Sequence, residues 1–261
     1  MKFYINLKFI QLKMSLKIKF GNFLFKYAFS IYKPLYKVFK NKQDAFEIDL
    51  LNKHIQKNNV VLDIGANIGF YAAIISKIVG ENGKVICFEP DITNFNYLKE
   101  NTKKNKNIFI YNKAVSSKTE KIKIYTSKNL NVDHRTYKPD EYDQEFEIDA
   151  VSIDDFLFEN LNKIDFIKID IQGFEMQAIK GLIKTLNSNT NIKIISEFWP
   201  YGLRKSGSSV SEYFNFLDDN GFNCYLLNKN SMQKLDIEKV QALEKLGEEH
   251  YFNIFAKRSN V

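Results

Sequence analysis

The chain has 261 residues, 44% of them hydrophobic and 26% charged, the ordinary range for one α/β domain with a modest extension. Its net charge of +7 is unevenly spread: residues 1–43 hold ten lysines and no acid, so the other 28 of its 38 basic residues face all 31 acids. A body of slightly acidic balance argues against a nucleic-acid groove, where phosphates need clustered Lys and Arg, and no Cys/His spacing resembles a zinc site.

The first 45 residues are read as a basic, aromatic, amphipathic helical extension, and residues 46–261 as the domain. Lys26, Lys33, Lys37 and Lys40 fall on one helical face, and Pro34 is expected to kink the helix or split it. No apolar run approaches the roughly 20 residues that span a bilayer, and the scattered lysines disfavour a signal peptide. Two readings stay open for residues 1–43: peripheral contact with an anionic membrane, or a helix that caps the domain. Cys87 and Cys224 lie in apolar strand-like runs, as reduced core residues of a cytoplasmic protein do.

From residue 45 strands and helices alternate, which predicts a mostly parallel sheet covered on both faces. Val60–Ile64 reads as a buried strand, Ile68–Val79 as a helix, Val85–Glu89 as the second strand, and Asp91 to about Lys104 as the next helix. Ile108–Tyr111 is a short third strand. Lys121–Tyr125 and Phe146–Val151 alternate like antiparallel strands around the polar stretch Thr126–Glu145, which shows no clear element of its own. Ile164–Ile171 is again of the buried parallel type, followed by a helix over Phe174–Leu186 and a strand over Ile192–Phe198. A helix over Ser208–Asn220, a strand pair over Phe222–Leu227 and Tyr251–Lys257, and a charged helix between those strands complete the pattern.

The first strand runs into Asp63-Ile64-Gly65-Ala66-Asn67-Ile68-Gly69-Phe70, and Glu89-Pro90 ends the second strand twenty residues after Gly69. A glycine turn after a strand, with an acid ending the next one, marks a nucleotide-type cofactor pocket at the carboxyl edge of the sheet. A dinucleotide fingerprint needs glycines where this chain has Asn67 and Phe70, so a pyrophosphate is disfavoured. S-adenosylmethionine is the better fit, with Asp63 facing its cationic methionyl part and Glu89 accepting from the ribose diol. Asn112 and Val115 either bound the adenine edge or are turn residues. Asp170, ending the fourth parallel strand, shares this edge and can face both cofactor and acceptor. Glu175 is either a second acid or a complement to the helix dipole. His134 and Arg135 adjoin in the long loop, beside Asp133, in a chain with three residues of each type. A neutral imidazole suits proton removal near pH 7. Glu197 ends the fifth parallel strand, points to the same edge as Asp170 and is a further candidate catalytic residue; Trp199, the lone tryptophan, either floors an acceptor ring or sits in the core.

These motifs resemble the FkbM-type methyltransferases. The resemblance rests on Asp63–Gly69, Phe88-Glu89-Pro90, Lys168–Glu175, Glu197–Pro200 with Gly202 and Leu203, and Leu217 to Phe222, covering about residues 58–226. It implies an α/β, Rossmann-like class I methyltransferase fold: a seven-stranded, mostly parallel sheet with its last strand antiparallel and helices on both faces. It also implies S-adenosyl-L-methionine as donor and a hydroxyl of a sugar, glycan or secondary metabolite as acceptor. Gln172 departs from the family, which often has Glu there; the lost charge weakens any case for a metal.

The expected chemistry is direct in-line displacement, with alignment and exclusion of water as the protein's main contribution. His134 is the first candidate base and Asp170 the second; Arg135 is a candidate for holding an acidic or phosphorylated acceptor. The competing readings are a nucleic-acid methyltransferase and a non-catalytic, membrane-associated binding protein that keeps the pocket. A nicotinamide dehydrogenase fails at Asn67.

Overall fold

The computed structural model describes residues 18–127, 134–157 and 163–258. Asp133 therefore lies outside the described residues, as do residues 1–17 of the extension. Residues 18–27 are helical, the chain breaks from helix at Ala28, and α1 then spans Phe29–Gln43. Pro34 lies inside α1 and does not split it, the second of the two outcomes expected there. The interruption falls instead at Ala28, whose φ of −144° and ψ of 52° are not helical. Helix α2 (Ala45–His54) leads into the domain.

Among the described residues the central sheet has eight strands. In chain order they are β1 (Val60–Ile64), β2 (Lys84–Phe88), β3 (Ile108–Tyr111), β8 (Phe166–Ile169), β9 (Lys193–Phe198), β10 (Phe222–Asn228), β11 (Ser231–Lys234) and β12 (Phe252–Arg258). Their spatial order is β11-β10-β12-β9-β8-β1-β2-β3. Strands β3, β2, β1, β8 and β9 pair in parallel, and β12 runs antiparallel between β9 and β10. This is the seven-stranded arrangement that the resemblance implies. The polar β11 is an added antiparallel edge strand that the sequence pattern did not reveal.

Strand alternation sends the two faces into two apolar layers. Leu62, Ile64, Ile86, Ile167, Ile169 and Ile194 pack beneath α6 (Glu175–Lys180), α7 (Ile183–Ser188) and α9 (Val210–Asp219). Val61, Val85, Cys87, Phe166 and Ile195 pack beneath α2 and α3 (Phe70–Val79). The helix expected over Phe174–Leu186 is two short ones. The buried Asp154 carboxylate accepts from the backbone N–H groups of Lys184 and Thr185 at 2.7 and 2.8 Å, which caps a new helix start in mid-run.

A smaller sheet, ordered β4-β7-β5-β6, stands beside the carboxyl edge. It comprises β4 (Ala114–Val115), β5 (Glu120–Thr126), β6 (His134–Arg135) and β7 (Glu145–Val151). The loop expected to lack structure thus contains a two-residue strand, because Thr126 and Tyr125 pair with His134 and Arg135. That pairing fixes both residues over the main sheet's edge.

Candidate donor and acceptor site

The site is founded on a buried cross-strand pair. Asp63 and Lys168 are register partners on β1 and β8, on the face that α2 and α3 cover. Lys168 Nζ lies 3.5 Å from Asp63 Oδ1 and 3.5 Å from Asp170 Oδ2. Burial opposes the charge on Lys168, yet the carboxylates of Asp170 and Asp63 outweigh it and hold its pKa above the usual value. Asp63 is completely buried, and burial raises its pKa although Lys168 pulls it down. Asp63 was expected to face the donor's cationic part; the structure places its carboxylate buried under the turn, with Lys168 as the neighbouring cation.

Above this pair the turn is shaped by backbone contacts. Gly65 has φ of +80°, and a Cβ there would lie 1.9 Å from the Asp170 carbonyl oxygen. Any side chain would thus push apart the two strand ends that form the cleft. Glu89 Oε2 accepts from the Asn67 N–H at 2.8 Å and Oε1 from the Asp91 N–H at 3.0 Å, which ties the turn to the next strand. Burial raises Glu89 to about 8 although those amide bonds favour its ionised form. Gly65→Ala is expected to abolish donor binding in titration calorimetry while the protein stays folded; unchanged affinity would show that this close approach is dispensable.

Gly65, Asn67, Asp170 and Gln172 line two chambers of one cleft. The first is walled by Phe88, Glu89, Pro90, Val115, Ile124 and His134, among others. Asn94 Oδ1 and Thr136 Oγ1 also belong to this wall, buried and with no hydrogen-bond partner among the described residues. Apolar walls, a buried acid and unused polar atoms fit an adenosine group, so the residues present suit the donor. The second chamber is lined by Ala66, Phe70, Tyr71, Lys168, Glu197 and, from the extension, Tyr36 and Lys40. Tyr71 OH donates to Asp44 Oδ2 at 2.6 Å, Asp44 pairs with Lys40, and Lys168 lies 4.7 Å from the Tyr71 ring centre. A polar chain thus runs from α1 to the foundation pair.

Gln172 joins the two acids of the second chamber. Its Nε2 donates to Glu197 Oε1 at 2.9 Å and to Asp170 Oδ1 at 3.3 Å. Burial first, and the neighbouring Asp170 carboxylate second, raise Glu197 to about 7. Gln172 and Gly173 both have positive φ, 53° and 95°, and a Cβ on Gly173 would meet the Gly202 backbone at 2.4 Å. The loop after β8 therefore rests on α8 (Pro200–Lys205).

Other expected residues take different places. Trp199 is 1% exposed; its Nε1 donates to the Glu248 carbonyl at 2.9 Å, and Tyr251 stacks on its ring at 5.1 Å. A Cβ on Gly202 would overlap the indole. Trp199 is thus a core buttress under the loop and does not floor an acceptor ring. Glu175 is 1% exposed, accepts from the Gly173 N–H at 2.9 Å and is raised by burial to about 8, so it braces the same loop and lines neither chamber. Asn112 Nδ2 donates to the carbonyls of Glu89 and Pro90, both at 2.9 Å, pinning the acidic turn, whereas Val115 lines the first chamber. Gly69 packs on Leu98 of α4 (Ile92–Thr102) and lines neither chamber. His134 joins Glu89 in the first chamber, with Nε2 3.3 Å from Asn94 Nδ2 and 3.8 Å from Asp91 Oδ2. Arg135 donates to Glu248 Oε1 at 3.1 Å and lines a separate cavity of about 280 Å³ with Tyr125, Tyr137, Tyr201 and Lys205.

Sequence reasoning missed Lys168, Tyr36, Lys40, Tyr71, Asn94 and Thr136. A lysine inside the apolar run Phe166–Ile169 was a legible sign of a buried ion pair. For Tyr36 and Lys40 the helical spacing was visible, but the surface they would meet was not.

A mostly parallel sheet with the antiparallel β12 inserted between β9 and β10, a glycine turn after β1 and an acid after β2 define a class I methyltransferase domain, the class whose donor is S-adenosylmethionine. A family profile described as the methyltransferase FkbM domain matches residues 63–224, and the chain belongs to that family. It is 27% identical over 152 residues to the hexuronic acid methyltransferase AglP of Haloferax volcanii, spanning 57% of this chain and 59% of that protein. The chain thus matches about three fifths of this curated relative's length. Among solved structures, a precorrin-6y C5,15-methyltransferase from Geobacter metallireducens GS-15 aligns with a TM-score of 0.47 at 13% identity, covering 81% of this chain and 87% of that one. A SAM-dependent methyltransferase from Aquifex aeolicus aligns with a TM-score of 0.45 at 18% identity, covering 83% and 92%. Both are too remote to bear on chemistry.

Proposed function

We propose that this chain O-methylates a hydroxyl of an acidic sugar or glycan, with Glu197 as the general base. The carrying observation is the Glu197–Gln172–Asp170 arrangement in the second chamber, with Glu197 raised to about 7. When bound, S-adenosylmethionine supplies a methyl group already activated on a sulfonium, and transfer leaves S-adenosylhomocysteine. A hydroxyl acceptor must still lose a proton, and a carboxylate with a pKa near the working pH is suited to accept it. Gln172 occupies one oxygen of Glu197 and leaves the other for the acceptor. Asp170 lines both chambers, so it orients donor and acceptor alike.

An acidic sugar is supported by the hexuronic acid named for the relative. The acidic balance of the body argues against nucleic acid as the acceptor. Cys87 and Cys224 are both free and buried, which supports the cytoplasmic reading.

This assignment moves the base role from His134 to Glu197. His134 shares its chamber with Glu89, Asn94 and Pro90, whereas Glu197 belongs to the other chamber. His134→Ala is accordingly expected to weaken donor binding by about tenfold, the loss of one buried contact, with kcat at saturating donor nearly kept. Unchanged donor affinity with lost turnover would return the base to His134. Release of S-adenosylhomocysteine in the presence of glycan, absent without it, would separate an enzyme from a binding protein.

A further inference from the structure

We propose that α1 docks the enzyme on an anionic lipid surface. Helix α1 buries no residue completely, yet its inner side carries Tyr36 and Lys40 into the second chamber. The same helix stacks Phe29 on Tyr97 of α4, with ring centres 3.5 Å apart. Capping the domain therefore uses one side of the helix and, among the described residues, leaves the opposite side uncovered.

That opposite side is apolar. Ile31, Leu35 and Val38 follow one another at helical spacing, and with Phe39, Phe20, Phe23 and Tyr27 they are 55% to 71% exposed. Isolated exposed apolar residues need no explanation, but a continuous stripe on one short segment marks a contact surface. Its surroundings are cationic: Lys19, Lys26, Lys33, Lys37 and Lys42 are all exposed, and residues 1–43 contain no acid.

A second observation points to the same partner. Between α1 and α3 lies a groove of about 240 Å³, floored by Phe70, Ala73 and Ile74 and bordered by Lys33, Lys37 and Lys77. Among the described residues no carboxylate lines it. An apolar floor with three ammonium groups is complementary to an anionic amphiphile, with acyl carbon below and headgroup above. A second copy of the chain is the poorer occupant, because a self-complementary contact would set lysines against lysines. Among the described residues no helix is long and apolar enough to cross a membrane, so the geometry is that of a helix lying on the surface. Tyr36 lines both this groove and the second chamber.

The proposal holds whatever the acceptor is, and its test reads binding alone. The full chain should sediment with phosphatidylcholine vesicles containing phosphatidylglycerol, weakly with phosphatidylcholine alone, and less at high salt. The triple variant Ile31→Ser, Leu35→Ser, Val38→Ser should bind the anionic vesicles about tenfold or more weakly. Its affinity for S-adenosylhomocysteine by calorimetry should be unchanged, showing that the domain is intact. Equal binding of both vesicle types, binding unaffected by the triple substitution, or a wild-type dimer in sedimentation that the substitution dissolves would each overturn the proposal.

Discussion

Glu197→Gln is expected to lower kcat by about 10² to 10⁴-fold while leaving donor affinity within a few-fold of wild type. The amide keeps size and hydrogen bonding but cannot accept the acceptor's proton. Because burial and then Asp170 raise Glu197 to about 7, kcat/KM should rise with pH through that value: below it the group is protonated and idle, above it ionised and competent. The glutamine variant should lose this rising limb along with most of its rate. A variant that keeps both would show that Glu197 is structural. A parallel loss in Asp170→Asn would not discriminate, because Asp170 lines the donor chamber too.

Lys168→Met is expected to destabilise the fold by about 3–5 kcal/mol in urea unfolding, because it strands Asp63 and Asp170 beside a cleft with no cation in place. Lys168 is 5% exposed and Asp63 is completely buried, so solvent does not rescue either charge. The double variant Lys168→Met, Asp63→Asn should recover much of that loss, since no unpaired charge then stays buried. Equal destabilisation in the single and double variants would mean that lost packing, and not the ion pair, sets the cost.

The sign of the pH effect on stability follows from the raised acids. Glu89 and Glu175 each lie near 8 in the fold, above their ordinary range, because burial disfavours the ionised form. Such groups favour the folded state at pH below their unfolded values and lose that contribution as pH rises toward 8.

Much of this was legible from the chain alone. The β1 turn, the β2 acid and the strand alternation follow from period-two burial and from glycines where backbone meets backbone, signals that are local in sequence. Residues whose role depends on what packs across them were read wrongly or left open. Asp63 reads as a ligand because it sits at a strand end, yet its side chain points to the face where Lys168 lies across the ladder. Trp199 and Glu175 follow directly upon functional-looking motifs and prove to be supports, because Gly173 and Gly202 bring two loops into contact. His134 was singled out as a base on its chemistry, and a two-residue pairing with β5 sets it in the first chamber beside Glu89 and Asn94. Tyr36 and Lys40 lie outside the family's matched residues, and only the packing of α1 brings them to the cleft.

The central claim is methyl transfer to a hydroxyl with Glu197 taking the proton. The most direct measurement is mass spectrometry of an oligosaccharide containing a hexuronic acid after incubation with the chain and methyl-labelled S-adenosylmethionine. The expected product is one labelled methyl group per acceptor that survives mild alkali as an ether, with almost none formed by Glu197→Gln. A label released by alkali as a methyl ester, or equal labelling by the variant, would contradict the account.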